Sequence, residues 1–164
     1  MKIAIISDVH GNLAYLKKAK SIIDREHITT IICCGDIQNE DVFCELDHWP
    51  QKVYLALGNA DKVIAEKLES GLIFPEKLKY FNDFGVINLE KKKIAFTHYD
   101  FYAKKLALEA KYDLVFYGHT HTPWEEKIGS TIMINPGEIT AHFGKPTFAI
   151  YDLTRMKARL LLLN

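Results

Sequence analysis

The chain has 164 residues, with 21 Lys and Arg against 21 Asp and Glu, so its formal charge is zero. That balance speaks against a dedicated nucleic-acid-binding module, whose affinity would rest on neutralising many phosphates, but leaves room for a small phosphorylated substrate. The length suits one domain over residues 1–164, large enough to fold around an apolar core without disulfides or a structural metal.

The chain opens on Lys2 to Ile6, where Ile3-Ala4-Ile5-Ile6 is the uninterrupted apolar run of a strand covered on both faces. There is no signal-peptide pattern before it, and no apolar stretch reaches the ~18 residues a membrane helix needs. A soluble, cytoplasmic protein without membrane attachment is expected. Leu13 to Arg25 reads as a helix with Leu13, Leu16, Ala19 and Ile23 on one face. Strand Thr30 to Cys34 follows, then a short helix near Asp41 to Asp47, strand Val53 to Leu57 and a helix over Asp61 to Glu69. Cys33, Cys34 and Cys44 have no zinc-type spacing. The adjacent pair ends an apolar run and reads as two small buried hydrophobes.

The second half changes character. Gly85 to Leu89 and Lys93 to Thr97 flank the polar turn Glu90-Lys91-Lys92, as paired strands do. A helix near Phe101 to Ala110 leads to strand Leu114 to Tyr117. Strands near Trp124 to Ile128, Thr131 to Ile134, Thr147 to Leu153 and Lys157 to Leu163 complete the chain. This is an α/β pattern, and the strand-rich second half fits two packed sheets with outer helices better than one doubly wound sheet.

The polar residues fall where chemistry is expected. Five apolar strands each end in a small polar cluster: Ser7-Asp8-Val9-His10, Gly35-Asp36, Gly58-Asn59, Thr97-His98 and Gly118-His119-Thr120-His121. In layered α/β folds the carboxyl ends of strands share an edge where ligands bind. Glycines 35, 58 and 118 would permit sharp turns directly after the strands. Asp8, His10, Asp36, Asn59, His98, His119 and His121 together offer oxygen and nitrogen ligands without a thiolate. That set suits manganese, iron, zinc, nickel or cobalt, and seven groups exceed what one tetrahedral ion needs.

These pieces, with Asp8-Val9-His10-Gly11-Asn12, Gly58-Asn59-Ala60-Asp61 and Asn135-Pro136-Gly137, resemble the calcineurin-like metallophosphoesterases in their order along the chain. Within that family the likeness is to small bacterial and archaeal phosphodiesterases. The resemblance implies a four-layer αββα sandwich, two packed mixed β-sheets flanked by helices. It implies two divalent ions, with manganese favoured. Asp8, His10, Asp36 and His121 would hold one ion, and Asp36, Asn59, His98 and His119 the other. A hydroxide between the ions would attack phosphorus in line, with no covalent phosphoenzyme. Asp36, Asn59, His98 and Asp61 are the residues the resemblance ties to catalysis, Asp61 by orienting a neighbour.

Two positions depart from the commonest family pattern. Ala60 stands where many relatives carry a histidine proposed to protonate the leaving group, which favours esters with acidic leaving groups. Tyr99-Asp100 follows His98 where a glycine and a histidine are frequent, and Asp100 is read as the cap of the next helix. Asn12 is open between a substrate contact and a helix cap. Asp61 is likewise open between orienting a neighbour and capping. Glu138, after Asn135-Pro136-Gly137, occupies an expected small-residue position without a clear consequence. His142, in the loop Ala141 to Lys145, is a candidate proton donor or phosphate contact. Tyr99, Phe101, Tyr102 and Trp124 are assigned to buried packing rather than to stacking a base.

The competing function is a protein-binding scaffold, since a eukaryotic trafficking subunit shares this fold with a degenerate metal site. A phosphomonoesterase is the alternative within the enzyme reading. The substrate is expected to be a small phosphate ester, and a homodimer is compatible with an enzyme of this size.

Overall fold

The first strand is apolar on both sides, and the fold uses both. Ala4 and Ile6 pack towards helices, whereas Ile3 and Ile5 pack into a second apolar layer between two sheets. Alternation of side chains along a strand makes this division automatic. The computed structural model describes residues 1–164. In chain order its elements are β1 (Lys2–Ile6), α1 (Leu13–Arg25), β2 (Thr30–Cys33), α2 (Glu40–His48), β3 (Lys52–Ala56), α3 (Lys62–Glu69) and β4 (Lys79–Phe81). They continue with β5 (Phe84–Leu89), β6 (Lys92–Thr97), α4 (Asp100–Leu108), β7 (Leu114–Phe116), β8 (Trp124–Ile128), β9 (Thr131–Asn135), β10 (Thr147–Asp152) and β11 (Lys157–Leu162). A single 3-10 turn, Asn59–Asp61, joins β3 to α3.

One sheet has the order β11-β10-β1-β2-β3-β4 and the other β5-β6-β7-β9-β8. Both are mixed: β1, β2, β3 and β4 run parallel, as do β6, β7 and β9, and antiparallel neighbours flank each set. Helices α1, α2 and α3 cover the first sheet through Leu16, Ile23, Phe43, Leu46 and Ile64. Phe96, Phe116, Ile32 and Tyr151 fill the space between the sheets. Helix α4 covers the second sheet with Ala103, Leu106 and Ala107 against Val115 and Met133. The result is the four-layer αββα sandwich with two mixed sheets.

Strand β4 is the element that the sequence pattern does not reveal. Lys79-Tyr80-Phe81 is too short to display a period, and its place beside β3 is set from a distance. The Asp47 carboxylate, on α2, accepts the backbone N–H groups of Glu76, Lys77 and Leu78 at 2.7, 2.9 and 2.7 Å. No helix is long and apolar enough to cross a membrane.

Cys33 and Cys34 lie on opposite faces of the first sheet, one under the helices and one between the sheets, both fully buried. Cys44 is exposed on α2. An aromatic disulfide reagent should therefore modify one thiol of the three in the folded protein and all three after denaturation. Rapid modification of a second thiol under native conditions would contradict the buried pair.

Candidate metal centre

Parallel pairing aligns the carboxyl ends of β1, β2 and β3 in one sheet, and of β6 and β7 in the other. The five polar clusters follow those ends, and their side chains meet. His121 Nε2 lies 3.4 Å from Asp8 Oδ1, and His10 Nε2 lies 4.0 Å from the same oxygen. The second Asp36 oxygen is 3.5 Å from His10 Nε2 and 3.4 Å from His98 Nε2. Around His98 Nε2 are Asn59 Oδ1 at 3.0 Å and His119 Nδ1 at 3.1 Å. All seven residues singled out as ligands are thus brought together. Ligand atoms of Asp8, His10 and His121, and those of Asp8, Asp36 and His98, lie within 4.8 Å of one another.

The chemistry of this cluster fits a divalent cation. Asp8 Oδ1 and His10 Nε2 are buried and have no hydrogen-bond partner. Burial pushes the Asp8 carboxyl up to about 7, against the hydrogen bond from Ser7 and the His121 ring. The same loss of water holds His10 and His98 below their ordinary range. Carboxylate oxygens and imidazole nitrogens facing one another across a partly buried site are the donor set that such an ion requires.

Two of the imidazoles have Nδ1 partners that leave Nε2 free for a cation. His98 Nδ1 donates to the Cys34 carbonyl at 2.8 Å, so its Nε2 turns a lone pair towards Asp36. His121 Nδ1 donates to Glu138 Oε2 at 2.5 Å, which leaves Nε2 facing Asp8. Glu138 is fully buried, and its other oxygen accepts the Phe143 and Gly144 N–H groups at 2.8 and 2.6 Å. Burial would raise its pKa, but these three donors more than offset it and hold the carboxyl below its ordinary range. Sequence reasoning saw this residue only as an unusual substitution. A carboxyl group in a position that otherwise suits a small side chain was the available signal.

Asp61 is fully buried and touches none of the ligand side chains in this network. Its carboxylate accepts the N–H groups of Asp36, Gln38 and Gly58 at 2.8, 2.7 and 2.8 Å, and makes no side-chain cap bond to α3. It therefore ties the loop after β2 to the loop after β3. Asn12 spends both ends of its side chain on the scaffold: Oδ1 caps α1 through Tyr15 N–H, and Nδ2 donates to the Thr140 carbonyl. Gly58 and Gly118 serve close approach rather than a positive φ. A Cβ on Gly58 would stand 2.2 Å from Asp36 Oδ1, and one on Gly118 would stand 1.8 Å from Ser7 Oγ.

Beside the cluster a cleft of about 360 Å³ is lined by His10, Gln38, His121, Thr140, His142 and Phe143. His142 thus opens onto the site, exposed to solvent. Two readings need correction. Asp100 is the first residue of α4 and makes no capping bond; Tyr99 holds the cap position. Phe101 and Trp124 are 59% and 58% exposed, so neither is buried packing.

Comparison with known proteins shows the family and the fold. Residues 1–156 match the model of the calcineurin-like phosphoesterase superfamily domain. The chain is 32% identical to Phosphodiesterase MJ0936 of Methanocaldococcus jannaschii over the full length of both. It is 26% identical to Phosphodiesterase YfcE of Escherichia coli over 85% of this chain and 80% of that one. A solved structure described as a novel archaeal phosphodiesterase superposes with a TM-score of 0.87 at 31% identity, covering 99% of this chain and all of that one. Vps29 of Chaetomium thermophilum superposes with a TM-score of 0.71 at 15% identity, covering 99% and 92%, a likeness of fold alone.

Replacing Glu138 should loosen the site without unfolding it. Glu138→Ser is expected to weaken divalent-metal binding by ~10–100-fold, the usual effect of removing a ligand's hydrogen-bond partner. Amide exchange at Phe143 and Gly144 should accelerate with it. Glu138→Gln keeps one acceptor where two are used, and should lie between. Calorimetry that gives all three proteins equal affinity would remove Glu138 from the metal centre.

Proposed function

The chain belongs to the calcineurin-like phosphoesterase superfamily, and from that membership we propose that it is a metal-dependent phosphodiesterase with a two-ion centre. One observation carries the proposal. A single Asp36 oxygen lies between two groups of imidazoles, 3.5 Å from His10 Nε2 and 3.4 Å from His98 Nε2. Asp8, His10, Asp36 and His121 form the first ligand set; Asp36, Asn59, His98 and His119 form the second, with Asp36 shared. Manganese is the favoured ion, and nickel, cobalt, iron and zinc are compatible with the same donors.

Bound there, two divalent ions would supply a hydroxide near neutral pH and positive charge for the phosphoryl oxygens. The chain does the rest. Asp36 would supply negative charge to both cations. Asn59, as a neutral ligand, would leave its ion more electrophilic than a carboxylate would. His98 keeps its Nε2 lone pair directed inward through the bond from Nδ1 to Cys34. Asp61 holds the loops that present Asp36 and Asn59. No side chain is required as nucleophile, so no covalent phosphoenzyme forms.

Departure of the leaving oxygen receives less help. Ala60 has no titratable group, and its backbone N–H is spent on Asp36 Oδ1 at 2.7 Å. The only additional imidazole opening onto the cleft is His142, which is therefore the proton donor we propose. The observation against a scaffold is that every ligand position carries a competent residue. A Vps29-like fold alone does not decide the matter.

Metal-stripped protein refilled with manganese should hydrolyse bis(4-nitrophenyl) phosphate faster than 4-nitrophenyl phosphate. Asp36→Asn should lose at least ~100-fold of that turnover, since even the hydrogen-bond partners of ligands act on this scale. Faster monoester hydrolysis would make the enzyme a phosphomonoesterase. Failure to bind metal at all would return the scaffold reading. Across a series of diesters, rates should fall steeply as the leaving group becomes more basic, and His142→Ala should steepen the decline. A slope untouched by His142→Ala would leave that residue without a role in proton transfer.

A further inference from the structure

Both ends of the metal centre abut aromatic rings, and one of these contacts is built as a platform. The Tyr99 ring packs edge-on against two proposed ligands, 5.1 Å from His98 and 5.2 Å from His119 between ring centroids. Phe101 lies 5.3 Å from Tyr99, Tyr102 lies 4.7 Å from Phe101, and Tyr99 and Tyr102 are 6.2 Å apart. Three mutually touching rings thus lead from the ligand shell outwards, in the spacing at which aromatic pairs attract. The outermost, Phe101, is 59% exposed, whereas Tyr99 and Tyr102 are partly buried. An exposed ring braced by two others has lost its freedom before anything binds to it, which lowers the entropy cost of stacking. On the opposite side Phe143 packs alone, against His121 and its neighbour His142, on a loop without regular structure.

We propose that Tyr99, Phe101 and Tyr102 form a subsite that seats a planar aromatic arm of the phosphodiester, the arm that is not the leaving group. The proposal rests on the phosphoesterase reading and narrows its substrate class. An ester arm that leaves the centre on the side of His98 and His119 would meet these rings, which offer an apolar face. That face is mainly flat π-surface, which selects for flatness. An aryl group and a nucleobase share that property, and an alkyl arm lacks it.

The test keeps the leaving group constant and varies the other arm. Methyl, phenyl and thymidine-5′ esters of 4-nitrophenyl phosphate would be compared on manganese-loaded protein by kcat/KM. Methyl phosphate, phenyl phosphate and thymidine 5′-monophosphate would be compared by calorimetry, a binding readout independent of turnover. An aromatic arm should improve kcat/KM and affinity about 5–10-fold, near the lower end of base–aromatic stacking because the shelf is open to water. Phe101→Ala should collapse the ratio of aromatic to methyl arm towards one. Phe74→Ala, at an exposed ring preceding β4, should leave the ratio unchanged. A preference for both arms establishes a general aromatic subsite; a preference for thymidine alone makes it a nucleotide site. Equal kcat/KM and affinity for all three arms, with turnover intact, would overturn the subsite and leave the phosphoesterase standing. No turnover of any diester would overturn the phosphoesterase reading, and the subsite with it.

Discussion

Two carboxylates, Asp8 and Asp36, are buried together at the carboxyl edge of the first sheet, 0% and 2% exposed, and the rest of the structure is arranged around that fact. Taking a charge out of water costs several kcal/mol unless an opposite charge accompanies it. No lysine or arginine does so here. The neighbours are imidazoles, and burial holds two of them, His10 and His98, below their ordinary range. The conflict is visible in the orphaned Asp8 Oδ1 and in an Asp8 carboxyl pushed up to about 7. A divalent cation held by these residues would resolve it, since it would favour the ionised carboxylate and take up the imidazole lone pairs. The apolar layers must therefore supply the stability that this edge does not.

The backbone tells the same story. Asp8, His10, Asp36, His119 and His121 all have positive φ, between 42° and 66°. Asp and His tolerate this region better than most residues, but such conformations still cost on the order of 1–3 kcal/mol each when strained. They persist because the loops hold one another. Asp8 and His10 donate to the Gly35 and Asp36 carbonyls at 2.9 Å, Thr140 donates to Asp8 at 3.0 Å, and Gly118 donates to His98 at 3.0 Å. Asp61 and Glu138 add side-chain carboxylates to this lattice, each accepting three hydrogen bonds. Neither contributes a ligand atom, yet between them they fix the loops bearing Asp36, Asn59 and His121. The site is rigid because its supports are polar and buried, and such supports work only when every donor and acceptor is matched.

Much of this was legible in the sequence. The strands were, because double-faced burial writes an uninterrupted apolar run, as in Ile3 to Ile6. The convergence of the polar clusters was, because each follows such a run and parallel pairing brings those ends to one edge. What escaped was set by contacts distant in sequence. Strand β4 depends on Asp47, about thirty residues earlier, and leaves no period in three residues. Glu138 looked odd without looking useful, because its partners, His121, Phe143 and Gly144, are chosen by the fold. Asn12 was ambiguous for a different reason: an asparagine that caps and one that binds substrate look alike until the Thr140 carbonyl and Tyr15 N–H are seen to occupy it. The rings of Phe101 and Trp124 were misjudged because aromatic residues in an α/β chain are usually covered, and exposure is a property of the assembled surface.

The same architecture serves Vps29 proteins, so the sandwich cannot by itself be the reason for chemistry. In this chain the buried polar residues divide into those engaged by the scaffold and those left without a partner. Asp61, Glu138 and Asn12 are engaged by the scaffold through both polar atoms of each side chain. Asp8 and His10 are the reverse, with buried ligand atoms that nothing in the protein satisfies. A protein-binding surface has no use for unsatisfied buried atoms, because each costs about 1–3 kcal/mol and a partner resting on the surface cannot reach it. Only a small charged ligand can. The cost at this edge makes sense when a cation removes it, and the supporting carboxylates make sense when that cation must sit in one place.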